Sequence, residues 1–179
     1  MVKVRQKKRS IFLIGKITKA SARIVKKALE KLDAASSEEI LFFINSTGGD
    51  AKASVEIHHA IHNAKSYVKT IGFGNLYSGG LMVLQGGDER FAVPRCRLKF
   101  HQICMEFNGK YLLNAKVMNA LAYRAFRADA MAVYILTSRS RSVEEILKLF
   151  DEDAAISSHK ARRLKVIDGI WRKPVHCPR

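Results

Sequence analysis

Ser78 and His101 are the residues of this 179-residue chain whose types and settings best suit covalent chemistry on a carbonyl. Ser78 lies in Ile71-Gly-Phe-Gly-Asn-Leu-Tyr-Ser-Gly-Gly80, between a β-forming stretch and the apolar run Leu81-Met-Val-Leu84. A serine hydroxyl attacks well when a tight backbone holds it in a cleft beside amides that receive an oxyanion. Glycine permits such a backbone. The segment is not a Gly-x-Ser-x-Gly elbow, because Leu76 stands two residues before the serine. Read locally, a plain helix N-cap is the default role for Ser78. His101 follows Arg97-Leu-Lys-Phe100 at a strand end, where α/β proteins gather functional groups, although a lone histidine is more often structural. Gly48-Gly49 also closes a strand; it either turns an amide inward or simply makes a loop.

The elements that must position these residues follow from periodicity. Ile11–Ile14 reads as a buried strand, and Ala20–Ala34 as an amphipathic helix with its stripe through Ile24, Val25, Ala28, Leu29 and Leu32. Ile40–Ile44 is a second buried strand, ended by the turn Asn45-Ser-Thr-Gly-Gly49. A helix over Ala51–Lys65 and a strand over Tyr67–Phe73 come next, with Gly72 and Gly74 marking a tight turn or close approach. A buried helix opens at Ser78 and stops at Gly86-Gly87-Asp88. Phe91–Val93 and Arg97–Phe100 are short strands around Pro94, and a long helix runs from Tyr111 to about Thr137. Ser142 and Glu145 form a capping box before Ile146–Phe150, a short helix follows Ser157, and Val166-Ile167 reads as an edge strand. Strands alternating with helices predict an α/β class with a largely parallel sheet.

Composition sets the bounds. Hydrophobic residues make up 47% and charged residues 27%, as in a globular domain. No apolar run approaches the roughly 20 residues that span a bilayer, and Ile11–Ile14 is too short for a secretory core. Cys96, Cys104 and Cys177 are odd in number and contain no Cys-x-x-Cys pair, which argues against a disulfide framework and a zinc site. A cytoplasmic location is expected. The net charge of +16 is concentrated at the ends. Residues 1–31 hold 11 Lys/Arg against one acid, and 159–179 hold seven against one. The middle is balanced at 14 and 14. Such ends either form a footprint for nucleic acid or an acidic partner, secondary to the main function, or are solvated faces.

His58, His59 and His62 lie close on one helix, with Glu56 nearby. They read as a subunit contact surface, and no metal is assigned to them. Cys104, three residues after His101, reads as a small buried residue.

Five blocks in order carry a family resemblance: Ile44-Asn-Ser-Thr-Gly-Gly49, the Gly72–Gly80 run, Arg90-Phe-Ala-Val-Pro94, Phe100-His-Gln102, and Asp153-Ala-Ala-Ile-Ser157 leading to Val166-Ile-Asp168. Over roughly residues 10–170 the chain resembles the proteolytic subunit of the ATP-dependent Clp protease. The resemblance implies a Clp protease/crotonase-like α/β fold of repeated strand-strand-helix units with a long handle helix. It implies a serine endopeptidase with Ser78 as nucleophile, His101 as base and Asp153 as orienting carboxylate. Gly49 and Gly79 amides fall on the oxyanion hole. Gly48, Gly49, Gln102 and Ile103 fall on the segments that hold a peptide as an added strand. No cofactor is implied. The expected partners are peptide or unfolded-protein substrates, further copies in a heptameric ring, and an AAA+ unfoldase.

The pattern departs from the family at four places. The segment before Ser10 is short and basic, and Glu152 replaces the usual arginine that pairs across rings. Ile103–Lys110 lacks the usual proline and glycine-rich run, and Tyr77 and Gly79 change the residues flanking the serine. The expectation is therefore firmer for the chemistry than for two-ring stacking or unfoldase pairing. Residues 1–9 read as an arm and 171–179 as a basic tail. Two competing readings stand beside the peptidase: a catalytically silent scaffold of the same fold, and a crotonase-type enzyme acting on acyl-coenzyme A.

Overall fold

The computed structural model describes residues 3–102 and 114–177. In chain order the elements are β1 (Lys3–Lys7), β2 (Ser10–Ile14), α1 (Lys19–Ala35), β3 (Ile40–Ser46), α2 (Ala51–His62), β4 (Val68–Tyr77) and α3 (Gly79–Leu84). They continue as β5 (Glu89–Ala92), β6 (Arg97–Lys99), α4 (Ala115–Thr137), α5 (Val143–Asp151), β7 (Ala155–Ser157), α6 (Ser158–Arg163) and β8 (Gly169–Ile170). The fold is mixed α/β, as expected, around an eight-stranded sheet ordered β1-β2-β3-β4-β5-β8. β6 branches from β4 and carries β7. The pairings from β2 through β3, β4 and β5 to β8 are parallel, whereas β1 and β7 run antiparallel to their neighbours.

Burial on both faces explains the unbroken apolar run of β3. Ile40, Phe42 and Ile44 belong to the main core with Val25, Leu29, Ile57 and Ile61 of α1 and α2. Phe43 faces the other way and stacks on Phe12 at 4.7 Å. With Ile71 they form a second, smaller core, closed by Phe91, Trp171 and Val175. The basic residues Lys3 and Arg5 lie on β1, paired to β2.

Local signals set most boundaries. Thr18 and Ser21 form a reciprocal capping box at the start of α1, and Asp50 caps α2 through Ala53 N–H at 2.9 Å. At α5 only half of the expected box forms. Ser142 Oγ accepts from Glu145 N–H, but the Glu145 carboxylate instead pairs with Lys160. The expected edge strand at Val166-Ile167 is a second correction. Both residues are fully buried just after α6, with their amides turned onto the Ala161 carbonyl, and the strand forms two residues later as β8. Their apolarity fills the core; it does not mark a ladder.

β4 is longer than its β-forming residues predict. It runs through the glycines to Tyr77, and this extension positions the site. Its first half pairs with β5 and its second with β6, so the sheet forks near Gly72–Asn75. Gly74 makes the bend with φ of +65°, and a Cβ there would press on the Asn45 amide.

Candidate active site

The fork brings three strand ends together. β6 continues β4's ladder to Tyr77↔Lys99, and Ser78 N–H donates to the Lys99 carbonyl at 3.1 Å. β7 then runs antiparallel to β6, with Lys99 opposite Ala155. Extending that register by two residues sets His101 across from Asp153. On the other side, β3 ends beside β4, and the Gly48 turn reaches the serine. A Cβ on Gly48 would lie 2.9 Å from Ser78 Cβ and 3.2 Å from its Oγ. Only glycine allows that approach.

Ser78 itself has φ 50° and ψ −122°, a region that L-residues seldom occupy. Strain of this kind amounts to about 1–3 kcal/mol and persists where the surroundings over-determine it. Ser78 occupies the N-cap position of α3, but its hydroxyl makes no capping bond. The plain N-cap role that local sequence favours is therefore not what the side chain does. Ser78 lines a crevice with Leu81, Met82, Phe100, His101 and Phe150, which Ala132 and Leu136 of α4 close. The space is about 10 Å³, enough for one water.

The side chains of His101 and Asp153 hold other partners. His101 Nδ1–H donates to the Gln102 carbonyl at 2.6 Å. That bond fixes the tautomer with Nε2 as the acceptor nitrogen. Asp153, itself at a positive φ of 50°, accepts from Lys99 Nζ at 2.5 Å. Among the described residues, no hydrogen bond joins Ser78 to His101 or His101 to Asp153. Gln102 Nε2 donates to Asp151, and Glu152 pairs with Lys148. The Gly48 amide is taken by Ser46 Oγ at 3.1 Å, while the Gly49 and Gly79 amides take part in no hydrogen bond among the described residues. Ile103 and Cys104 lie outside the described residues.

The sequence profile of Clp protease matches residues 1–174. The chain belongs to the Clp protease family. A curated relative, the ATP-dependent Clp protease proteolytic subunit of Carsonella ruddii (strain PV), is 28% identical over 170 residues, covering 93% of this chain and 86% of that one. The family assignment makes the chain a protease of Clp type.

Around Ser78, three further residues were not singled out by sequence reasoning. Ser46 is buried, donates to the Gly15 carbonyl and braces the Gly48 amide. Ser54 on α2 fills the space that a side chain on Gly79 would need. Lys99 reads as an ordinary charged position on a short strand. For Ser46, the signal was its place directly before Gly48-Gly49 at a strand end; for Lys99 there was none.

The other candidates are placed as follows. His58 Nδ1–H donates to the Met82 carbonyl at 3.0 Å, and its ring stacks over His62. Burial lowers the His58 pKa, the Met82 bond only partly offsetting it. Cys96 is buried, which pushes its thiol up to about 12, and Cys177 is exposed. No described helix is long and apolar enough to cross a membrane.

Proposed function

We propose that the protein is a serine-type endopeptidase acting on peptides or unfolded proteins, with Ser78 as nucleophile. The observation that carries this reading is the strained backbone of Ser78, whose hydroxyl makes no capping bond, at a crevice that His101 also lines. His101 Nε2 takes the Oγ proton as Oγ attacks the peptide carbonyl. The tetrahedral oxyanion forms against the Gly49 and Gly79 amides, each donor contributing about 3–4 kcal/mol. The imidazolium then protonates the leaving amine, and water repeats the sequence to free the acyl group from Ser78. Asp153 accepts from Nδ1–H in the active arrangement and stabilises the imidazolium. The substrate adds as a strand along Gly48-Gly49 and Gln102-Ile103, so recognition falls mainly on its backbone. The water-sized crevice beside Ser78 opens to admit an apolar side chain.

A fluorophosphonate probe is expected to label Ser78. Ser78→Ala should abolish labelling, and His101→Ala should reduce it by orders of magnitude. Full labelling of Ser78→Ala would overturn the assignment. The silent-scaffold reading keeps one specific support, the partners that His101 and Asp153 now hold. It predicts a folded protein that no probe labels under any condition.

Residues 10–170 form the peptidase unit in this reading, in the cytoplasm, as subunits of a ring. Exposed Met118, Tyr123, Phe126 and Tyr134 on α4 offer apolar contact surface for such an assembly. The name of the relative describes an ATP-dependent protease, and an AAA+ unfoldase is the further partner in this reading. Nucleic acid is a secondary ligand of the basic face that α1 exposes through Lys19, Arg23, Lys27 and Lys31.

A further inference from the structure

We infer that Lys99 is a positioning residue of this peptidase site, holding Asp153 in a resting arrangement that must be released before Asp153 can serve His101. The inference rests on the peptidase reading above and adds a residue to it. The backbone at this point is already set for a triad. The β6–β7 ladder ends at Lys99 opposite Ala155, and Phe100 N–H donates to the Ala154 carbonyl at 2.9 Å, which keeps the segments carrying residues 101 and 153 together. Only the side chains are differently engaged. The Asp153 carboxylate takes the Lys99 ammonium, and the imidazole takes a neutral carbonyl from Gln102.

Strand geometry explains why Lys99 reaches this carboxylate. Leu98 is fully buried, so Lys99, the next residue of β6, projects from the opposite face of the strand and meets Asp153 just before β7. In the active arrangement of the peptidase reading the imidazole draws on that same carboxylate. Lys99 opposes catalysis in two ways. Its bond competes for Asp153 Oδ2. Should Oδ1 accept from His101 at the same time, the nearby positive charge still offsets the carboxylate's stabilisation of the imidazolium formed during attack. The Gln102 carbonyl keeps the tautomer correct but brings no full negative charge.

Exposure bounds the size of the effect. The Lys99 and Asp153 side chains are 33% and 61% exposed. Water and salt screen such a pair, so the restraint slows the site a few-fold and does not silence it.

The test measures the rate of Ser78 labelling by a fluorophosphonate in the full chain. Lys99→Met is expected to label about three- to five-fold faster than the native protein at low salt. Lys99→Arg, which keeps the cation, should return the slow rate. Raising NaCl from about 0.05 M to about 0.5 M should speed the native protein and leave Lys99→Met unmoved. Adding Lys99→Met to Asp153→Asn should give no further gain, because the effect passes through Asp153. A Ser78-dependent rate indifferent to Lys99 and to salt overturns this inference alone. Loss of labelling in folded Lys99→Met also overturns it, and makes the lysine a base. Absence of labelling in every variant, or labelling of Ser78→Ala, overturns the peptidase reading instead.

Discussion

Two cation–aspartate pairs lie within this sheet, and they differ in almost every respect that determines what an ion pair does. Arg90 and Asp168 join β5 to the segment before β8. Arg90 is 2% exposed and meets Asp168 with two guanidinium nitrogens at 2.8 and 2.9 Å, while a third holds Gln85 at 2.7 Å. Gln85 in turn donates to the Val166 carbonyl. Every buried polar group there has a partner, which is the condition under which a buried charge is tolerated. Lys99 and Asp153 share one contact in partial solvent and, among the described residues, belong to no such network. The first pair fixes a fold; the second can exchange partners. A planar guanidinium suits the first task and a flexible ammonium the second.

Removing Arg90 should produce the largest effect. Arg90→Ala leaves the Asp168 carboxylate with only the backbone N–H of residue 90 and strips Gln85 Oε1 of its guanidinium partner, a loss of about 3 kcal/mol. For a domain of this size that lowers Tm by about 6–12 °C in calorimetry. A change under about 2 °C would break the contrast.

Acid should separate the pairs next. Burial would raise the Asp168 carboxyl, but the Arg90 hydrogen bonds outweigh it and hold its pKa below the usual range. A depressed folded pKa means that this stabilisation is fully present above the unfolded value of about 3.9 and is lost as pH falls through the folded one. Native protein should therefore lose stability steeply below about pH 4, and Asp168→Asn should show a shallower fall from a lower starting point. Equal slopes in urea titrations would contradict the assignment.

The smallest effect is expected at the other pair. Lys99→Met should change stability by less than about 1 kcal/mol, even as it changes the labelling rate of Ser78. A larger loss would mean that Lys99 supports the fold as Arg90 does. The comparison would then collapse into two structural pairs.

Much of this was legible in the residues. The stripe of α1, the apolar run of β3, the cap at Ser142, and the ordered blocks around Ser78 and His101 are local or short-range signals. The sequence also placed Ser78 at a strand-to-helix junction, although the local reading gave its hydroxyl a capping role. Val166-Ile167 misled for a general reason: two apolar residues fill a core in a turn as readily as in a strand. The second half of β4 was missed because its glycines carry no β signal, and pairing with β6 supplies the ladder.

By itself, then, the chain determined its class, the alternation of its central strands and helices, and the residue types available for acyl transfer, since periodicity and capping act over a few residues. The tertiary structure decided the rest. The strain at Ser78 comes from β6 on one side and the Gly48 turn on the other. The choice of Lys99 as the partner of Asp153 depends on the β6–β7 pairing, which brings the strand carrying the lysine beside the turn carrying the carboxylate. Neither the strain nor that choice can be read locally, because each is fixed by contacts between residues far apart in the chain.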